Sequence, residues 1–414
     1  MSHYKPYPAY KDSGVDWIGN MPQHWGVKPI KVIASCNDDS LPEAIPLDMP
    51  IRYVDISAVS HDGGISGAEP MVFGEAPSRA RRMAKLGDVV VSTVRTYLKA
   101  VASVDEAHAD CVYSTGFAVL RARSEQLAPE FLKWLALNDL LIQAVESHSE
   151  GLSYPAINSS DLVNLKAVVP GLPEQKRIAA ILDRETARID ALIAKKTEFI
   201  ELLKKKIAAL ASQPPDSPNL KWVRLSHVCE VVSRPVLQQV GSSYTKLGLF
   251  NRGRGIFKRD ETDTEDMGDS EFFWIQPGDL ILSGQFAWEG AVALANEDHA
   301  GCVVSHRFPV IRGRNNEALT EYLLAYFLTA HGDFVLNDCS RGSAGRNRPL
   351  NMNLLLGWKI PIPAMPIQCE IARLVQLERR IGERVSKSIT LLKERRSAFI
   401  TAAVTGQIDL RGSP

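Results

Sequence analysis

The segment Leu86-Gly87-Asp88-Val89-Val90-Val91-Ser92 occurs a second time as Pro277-Gly278-Asp279-Leu280-Ile281-Leu282-Ser283, 191 residues further on counting from Gly87 to Gly278. Each copy reads as a Gly-Asp turn entering a short apolar run, the pattern of a buried strand. The same offset pairs Cys111-Val112-Tyr113-Ser114 with Cys302-Val303-Val304-Ser305, and Phe117, Val119 and Arg121 with Phe308, Val310 and Arg312. Tyr53 falls on Tyr244, Ile65 on Ile256, and Phe131-Leu132 on Tyr322-Leu323, so the register runs without a gap from about residue 53 to residue 135. Further on the offset becomes 193, pairing Pro173, Gln175, Ile178 and Ala179 with Pro366, Gln368, Ile371 and Ala372. A two-residue insertion in the loop between accounts for the change. The chain is an internal duplication, and its architecture follows from the repeated unit.

Each repeat ends in a long amphipathic pattern. After Pro173, a residue suited to a first helical turn, Ile178, Ile181, Leu182, Ile189, Leu192, Ile193, Phe199, Ile200, Leu203, Ile207 and Leu210 form one apolar stripe. Arg184, Lys195, Lys196, Glu201 and Lys205 occupy most of the opposite face, and no Gly or Pro interrupts the run. The second copy repeats the stripe with Ile371, Leu374, Val375, Ile381, Val385, Ile389, Leu392, Phe399 and Ile400, with Gly382 as its one weak point. Such a helix extends roughly 55 Å at 1.5 Å per residue. Two stripes of heptad-like spacing can bury each other in an antiparallel coiled coil, which would hold two homologous domains apart like a ruler; core helices within each domain, or a seam between two copies of the chain, are the alternatives. Ser212-Gln213-Pro214-Pro215-Asp216-Ser217-Pro218-Asn219 is too rich in proline to continue the first helix and reads as a linker.

The expected organisation is an N-terminal segment at 1–27, a first domain at 28–170, a central helix at 171–212, a second domain at 213–364, and a C-terminal helix and tail at 365–414. The fold class is α+β: two tandem homologous α/β domains joined by two long antiparallel coiled-coil helices in a pseudo-twofold repeat. Within each domain, short strands such as Asp88–Ser92 alternate with helical stretches such as Pro129 to Val145.

Composition narrows the function. The 414 residues include 45% hydrophobic side chains, and no apolar run is long enough to cross a bilayer. The opening Met1-Ser2-His3-Tyr4-Lys5-Pro6 lacks the apolar core of a signal peptide, so a cytoplasmic location is expected. Cys36, Cys111, Cys229, Cys302, Cys339 and Cys369 are far apart, with no zinc-ligand spacing, and read as buried reduced thiols. Lys plus Arg and Asp plus Glu both total 48, so nucleic-acid binding requires basic groups gathered locally or a partner that supplies further phosphate contacts.

Such groups exist in both halves. The first offers Arg79, Arg81, Arg82, Arg95 and Lys99; the second offers Arg252, Arg254, Lys258, Arg259, Arg341, Arg346 and Arg348. Those of the second half sit among glycines, in Asn251-Arg252-Gly253-Arg254-Gly255 and Arg341-Gly342-Ser343-Ala344-Gly345-Arg346-Asn347-Arg348, which suits loops that approach a duplex closely. Gly151-Leu152-Ser153-Tyr154-Pro155 stands roughly where the 341–348 cluster lies. Repeats that share a scaffold but differ in loop chemistry are suited to reading different sequences.

Catalytic signatures are missing from the sequence. There is no G-x-x-x-x-G-K-[ST] phosphate loop, no dinucleotide-type glycine turn, and the one Pro-Pro step, at Pro214-Pro215, lacks the flanks of an amino-methyltransferase site. Asp161 followed by Glu174-Gln175-Lys176 has a nuclease-like look, but the repeat replaces those residues with Ile367-Gln368-Cys369, and an acid at a helix start is favoured electrostatically. Asp88 and Asp279 read as turn or cap residues, since no second acid recurs at a fixed distance from both.

Three segments carry a family resemblance. They are Tyr10-Lys11-Asp12-Ser13-Gly14-Val15-Asp16-Trp17-Ile18-Gly19 with Pro22, His24 and Trp25; Leu172-Pro173-Glu174-Gln175-Lys176-Arg177-Ile178-Ala179; and Ala402-Ala403-Val404-Thr405-Gly406-Gln407-Ile408-Asp409. With the duplication, they make the whole chain resemble the specificity subunits of Type I restriction-modification systems. The resemblance implies that each domain is a target recognition domain for double-stranded DNA and that the helices fix the gap of a bipartite target. It also implies that two methyltransferase subunits dock on the helices, with restriction/translocase subunits as further partners. The chain itself then has no catalytic residues and binds no metal or cofactor; S-adenosylmethionine belongs to the partner methyltransferase. The second helix departs from the family pattern, with Pro366-Ile367-Gln368-Cys369-Glu370 where Pro-x-x-Glu-Gln is usual.

Overall fold

The computed structural model describes residues 4–42, 44–62, 64–212, 217, 220–268, 270–314, 316–342 and 348–412. The chain forms two compact units, residues 1–194 with 388–414, and residues 195–387.

In the first unit a four-stranded antiparallel sheet has the order Val101–Ser103, Val89–Ser92, Phe117–Ala122, Ala34–Cys36. A second sheet has the order Glu69–Val72, Pro50–Val54, Val112–Ser114, Ala80–Met83, with its central pair parallel. The decisive segment is the second strand of the first sheet. Val89 and Val91 face one core together with Leu120, Phe131 and Leu182, whereas Val90 faces another with Val119, Tyr113 and Phe117. A strand covered on both faces reads as a continuous apolar run instead of alternating, which is why the sequence signal is so plain.

The second unit repeats this topology. One sheet runs Cys229–Val231, Val310–Gly313, Leu280–Leu282, Val292–Leu294; the other runs Ile256–Asp263, Ser243–Leu249, Val303–Ser305, Phe272–Trp274. Leu280 and Leu282 face one core and Ile281 the other. Pro129–Ala136 and Asp139–Ser147 have counterparts in Thr320–Phe327 and Ala330–Asp338. Here the structure corrects the expected single helix from Pro129 to Val145. The chain breaks at Leu137 and Asn138, where the Asn138 side chain caps the next helix through Leu140 N–H at 3.1 Å and accepts a bond from Thr401 Oγ1 at 2.9 Å.

The turn before the decisive strand is the same in both units. Gly87 and Gly278 adopt φ of 83° and 87°, the left-handed region that favours glycine. The following aspartate is buried. Asp88 accepts a bond from Lys85 N–H at 2.7 Å and a two-pronged contact from Arg121 at 2.9 and 2.7 Å. Asp279 accepts from Gln276 N–H at 2.8 Å and is held by both Arg312 and Arg234. The bonds to Asp88, with a further one to Asp39, push the Arg121 pKa above its ordinary value, and the bonding of Asp88 and Asp279 accounts for both carboxylates as structural.

The two long helices are α1, Leu172–Ala211, and α2, Met365–Val404, each of 40 residues. Both begin on a buried glutamine that ties helix to domain. Gln175 accepts a bond from Ala128 N–H at 2.8 Å and donates to Gln126 O and Pro170 O; Gln368 accepts from Leu319 N–H at 2.9 Å and donates to Glu317 O and Pro363 O. In the first unit Ile178, Ile181 and Leu182 of α1 share a core with Phe399, Ile400 and Val404 of α2. In the second, Ile207 and Ala211 of α1 share a core with Ile371, Leu374 and Val375 of α2. The beginning of one helix therefore meets the end of the other, and they run antiparallel. The stripe is not buried throughout: Leu192 and Phe199 are each 49% exposed, and off the stripe Leu202 and Leu391 are exposed as well. The domain cores cover only the helix ends, so the central turns keep apolar side chains in solvent.

The three family-like segments meet in the first unit. Glu174, at the start of α1, accepts a bond from the Tyr7 hydroxyl at 2.8 Å and lies 2.9 Å from His24 Nε2. The Arg411 guanidinium stacks on the Tyr7 ring at 4.9 Å, and Asp409 N–H donates to Lys5 O at 2.7 Å. Gly406, at φ 74°, lies against Pro22 and Trp25 so closely that a Cβ there would come within 2.3 Å of the proline ring. Glu174 is thus a clasp for the two chain ends. Ile367, its counterpart in α2, packs against the second unit's apolar core instead, which explains the departure at that position.

Candidate nucleic-acid interface

Within the second unit, the strands Ser243–Leu249 and Ile256–Asp263 form a long antiparallel hairpin whose tip spans 250–255. The tip is pinned by backbone bonds from Arg252 N–H to Glu289 O at 2.9 Å and from Gly253 N–H to Gly290 O at 2.8 Å. Gly253 sits where a Cβ would strike the Leu328 side chain at 2.5 Å, so glycine lets the tip descend while Arg252 and Arg254 point outward. On one face of the hairpin Phe250 and Phe257 pack at 4.7 Å, with Arg254 over the first ring and Arg259 over the second.

Strand alternation separates two residues that look like one cluster in the sequence. Arg259 shares the Phe257 face, whereas Lys258 faces His299, whose pKa is lowered by burial and by the Lys258 charge. Of the remaining basic candidates in this unit, Arg341 pairs with Asp338 at 2.7 Å. Arg348 is bonded to Asn337 and Ser340 and stacks on Trp288 at 4.9 Å. Arg346 lies outside the described residues.

In the first unit the candidates separate into held and free groups. Arg79 is taken up by Asp55 at 2.7 Å and the Tyr53 hydroxyl at 3.1 Å. Arg81 stacks on Phe73 at 5.1 Å, and Arg82 is half-buried, its enclosed Nε without a hydrogen-bond partner among the described residues. Arg95 and Lys99 are exposed, flank the turn Thr96–Leu98, and take φ of 51° and 50°. Among the described residues four non-glycine residues have positive φ, namely Asn37, Arg95, Lys99 and Arg252. Three of those are basic residues singled out in the sequence; such backbone costs about 1–2 kcal/mol per residue and concentrates at functional loops.

The turn at Thr96–Leu98 has its counterpart at Ala287–Glu289. At this place the two units use the same contact with the roles exchanged. Arg95, on this turn, stacks on Tyr154 of the next loop at 5.2 Å, whereas Trp288, on the equivalent turn, lies under Arg348 of the next loop. Exposed apolar groups accompany the first version: Tyr97, Leu98, Leu152 and Tyr154 all face solvent.

Sequence reasoning missed Lys246, Gln285 and Arg307, which line a cleft of about 370 Å³ with Arg259 and Phe257. Among the described residues, Arg252, Arg259, Lys246 and Arg307 have no carboxylate within ion-pair distance. A signal for them existed in the repeat: Lys246 falls on Asp55 and Arg307 on Gly116, positions at which the copies differ in charge.

Comparison with known proteins bears on the fold. Residues 86–202 match the family model described as the Type I restriction modification DNA specificity domain. The matched span contains the decisive strand, both sides of the Asp88–Arg121 pair, and the first part of α1. A solved chain from work on complex assembly and conformational transition of the type I R-M system aligns over 95% of this chain and 99% of its own, with 23% identity and a TM-score of 0.62. The S subunit of the Type-I restriction-modification system of M. genitalium aligns over 92% of this chain and 96% of its own, with 13% identity and a TM-score of 0.51. These likenesses show a shared fold over the length of the molecule. Curated protein sequences return no match. Among the described residues, no helix is long and apolar enough to cross a membrane.

Proposed function

We propose that the chain is the specificity subunit of a Type I restriction-modification complex, which reads two unlike DNA half-sites separated by a fixed gap. One observation carries the reading: two units with the same topology, the same buried Asp–Arg turn and the same glutamine anchor present different chemistry on their exposed loops. The match of residues 86–202 to a DNA specificity domain supports it. A common scaffold with divergent loops provides two recognition surfaces, and α1 and α2, which thread both units, set the gap between the half-sites.

Chemistry falls to partner subunits in this reading. Two methyltransferase subunits bind S-adenosylmethionine and methylate adenine, and restriction/translocase subunits add cleavage. Exposed apolar side chains on the helices, Leu192 and Leu391 in the first unit and Phe199 and Leu202 in the second, suit docking of such partners. The test is to co-express the chain with its cognate methyltransferase subunit and map methylated adenines across a genome. A split motif with two unlike halves and one gap length is expected. A stable complex that leaves no sequence-specific methylation overturns the proposal in favour of an assembly scaffold.

A further inference from the structure

In the second unit, the loop after strand Leu280–Leu282 and the turn after strand Val303–Ser305 are clamped together. Gly284 N–H donates to Arg307 O at 2.7 Å, and a Cβ on Gly284 would lie 2.5 Å from that oxygen. The clamp fixes two neighbouring side chains at the rim of the 370 Å³ cleft, Gln285 and Arg307, both exposed. Neither the Gln285 amide nor the Arg307 guanidinium has a side-chain hydrogen bond or ion pair among the described residues. The cleft wall behind them is Phe257, which lies across Gly248, where a Cβ would meet the ring at 2.3 Å.

The first unit builds the same clamp with different side chains. Thr93 N–H donates to Gly116 O at 2.8 Å, and the positions equivalent to Gln285 and Arg307 are Val94 and Gly116. Gly116 leaves space that is already filled: a Cβ there would be 2.7 Å from Ile56 and 3.1 Å from Val94. A fixed backbone bond therefore holds a planar amide and a planar guanidinium in one unit and an aliphatic surface in the other.

We infer that this clamp is a base-reading element and that Gln285 and Arg307 determine the identity of bases in one half-site; the inference rests on the DNA-reading function proposed above. Gln is the side chain that pairs bidentately with adenine N6 and N7, and Arg with guanine O6 and N7, in the major groove. A rigid platform is what such pairing requires, because two parallel hydrogen bonds fail when the donor plane tilts. Lys246 and Arg259, at the same cleft, supply charge for the flanking phosphates.

The test is to select bound sequences from a random pool of DNA duplexes with the full chain co-purified with its cognate methyltransferase subunit, then with Gln285→Ala, Arg307→Ala and Arg307→Lys in the same complex. The wild-type chain should enrich a split motif. Each alanine variant should relax one or two base pairs in the same half of that motif, with roughly 10- to 100-fold weaker binding to the original sequence and the other half unchanged. Arg307→Lys keeps the charge but loses the fork, so it should retain binding to unrelated duplex while relaxing the same position. Variants that weaken binding uniformly and keep both halves intact would make these residues phosphate contacts and overturn the inference while leaving the function standing. A wild-type chain that enriches no sequence overturns both.

Discussion

The hairpin tips of the two units occupy equivalent places and are held in different ways, the first through its side chains and the second through its backbone. In the first, His61 Nε2 lies 2.9 Å from Leu137 O and 3.7 Å from Asp139, and Asp62 pairs with Lys393 at 3.0 Å, so the side chains of the tip are themselves taken up by the unit. In the second, His61's counterpart is Arg252, and a cleft of about 1060 Å³ runs beside the tip, lined by Lys204, Glu378 and Arg379 among others. Its side chain has no ion pair among the described residues. Duplication has preserved what holds the backbone and released what faces outward. The comparison therefore predicts that framework substitutions have paired effects in the two units and loop substitutions do not.

The largest expected effect tests the framework. Asp279→Ala removes a fully buried carboxylate that holds Arg234, Arg312 and a turn N–H, and breaking a buried pair costs about 3–5 kcal/mol. Asp88→Ala, with one buried-pair arginine instead of two, should fall at the lower end of that range. Urea unfolding of the full chain followed by tryptophan fluorescence reads both. A severe loss at one position beside a neutral result at the other would break the structural equivalence of the units.

The glutamine anchors come next. Gln175→Ala and Gln368→Ala each strand a backbone N–H, buried at Ala128 and half-buried at Leu319, and two carbonyls, for a cost of about 1–3 kcal/mol apiece. Because the sites share no partner, the double variant should lose close to the sum. A double loss well short of that sum would mean that the two anchors support one cooperative element.

How much of this the sequence revealed divides along the same line. The duplication, the strand at Val89–Val91 and both helices were legible because burial on two faces and a long apolar stripe leave regular patterns. Asp88 was recognisable as a turn residue, yet its bond to Arg121 was not, although the repeat carries both residues at one offset. The break at Asn138 lies inside an apolar run that reads as one helix, and the bond Asn138 accepts from Thr401 comes from a residue distant in the chain. Among the site residues, Arg252 and Arg254 stood out by their glycines, whereas Lys246 and Arg307 are isolated basic residues in strand and turn contexts. Only folding places them at one cleft. Arg79 and Arg341 show the converse, since composition cannot reveal that a nearby carboxylate already holds a charge.

That last point yields the smallest and most selective prediction. Arg79 and Arg252 are both exposed arginines, but Asp55 and Tyr53 hold the first, and the second has no ion-pair partner among the described residues. Arg79→Ala removes an exposed ion pair and should cost under about 1 kcal/mol in stability. It should leave DNA affinity and its salt dependence as they are, since a guanidinium already neutralised releases no counterion from a phosphate. Arg252→Ala should leave stability within about 0.5 kcal/mol, there being no partner to strand. If Arg252 meets a phosphate, the slope of log affinity against log salt should shrink by about 0.9, the contribution of one neutralised charge. Titrating labelled duplex at several salt concentrations separates the two variants. Equal slopes would place the second hairpin tip away from the DNA and shift the weight of phosphate contact to Lys246 and Arg259.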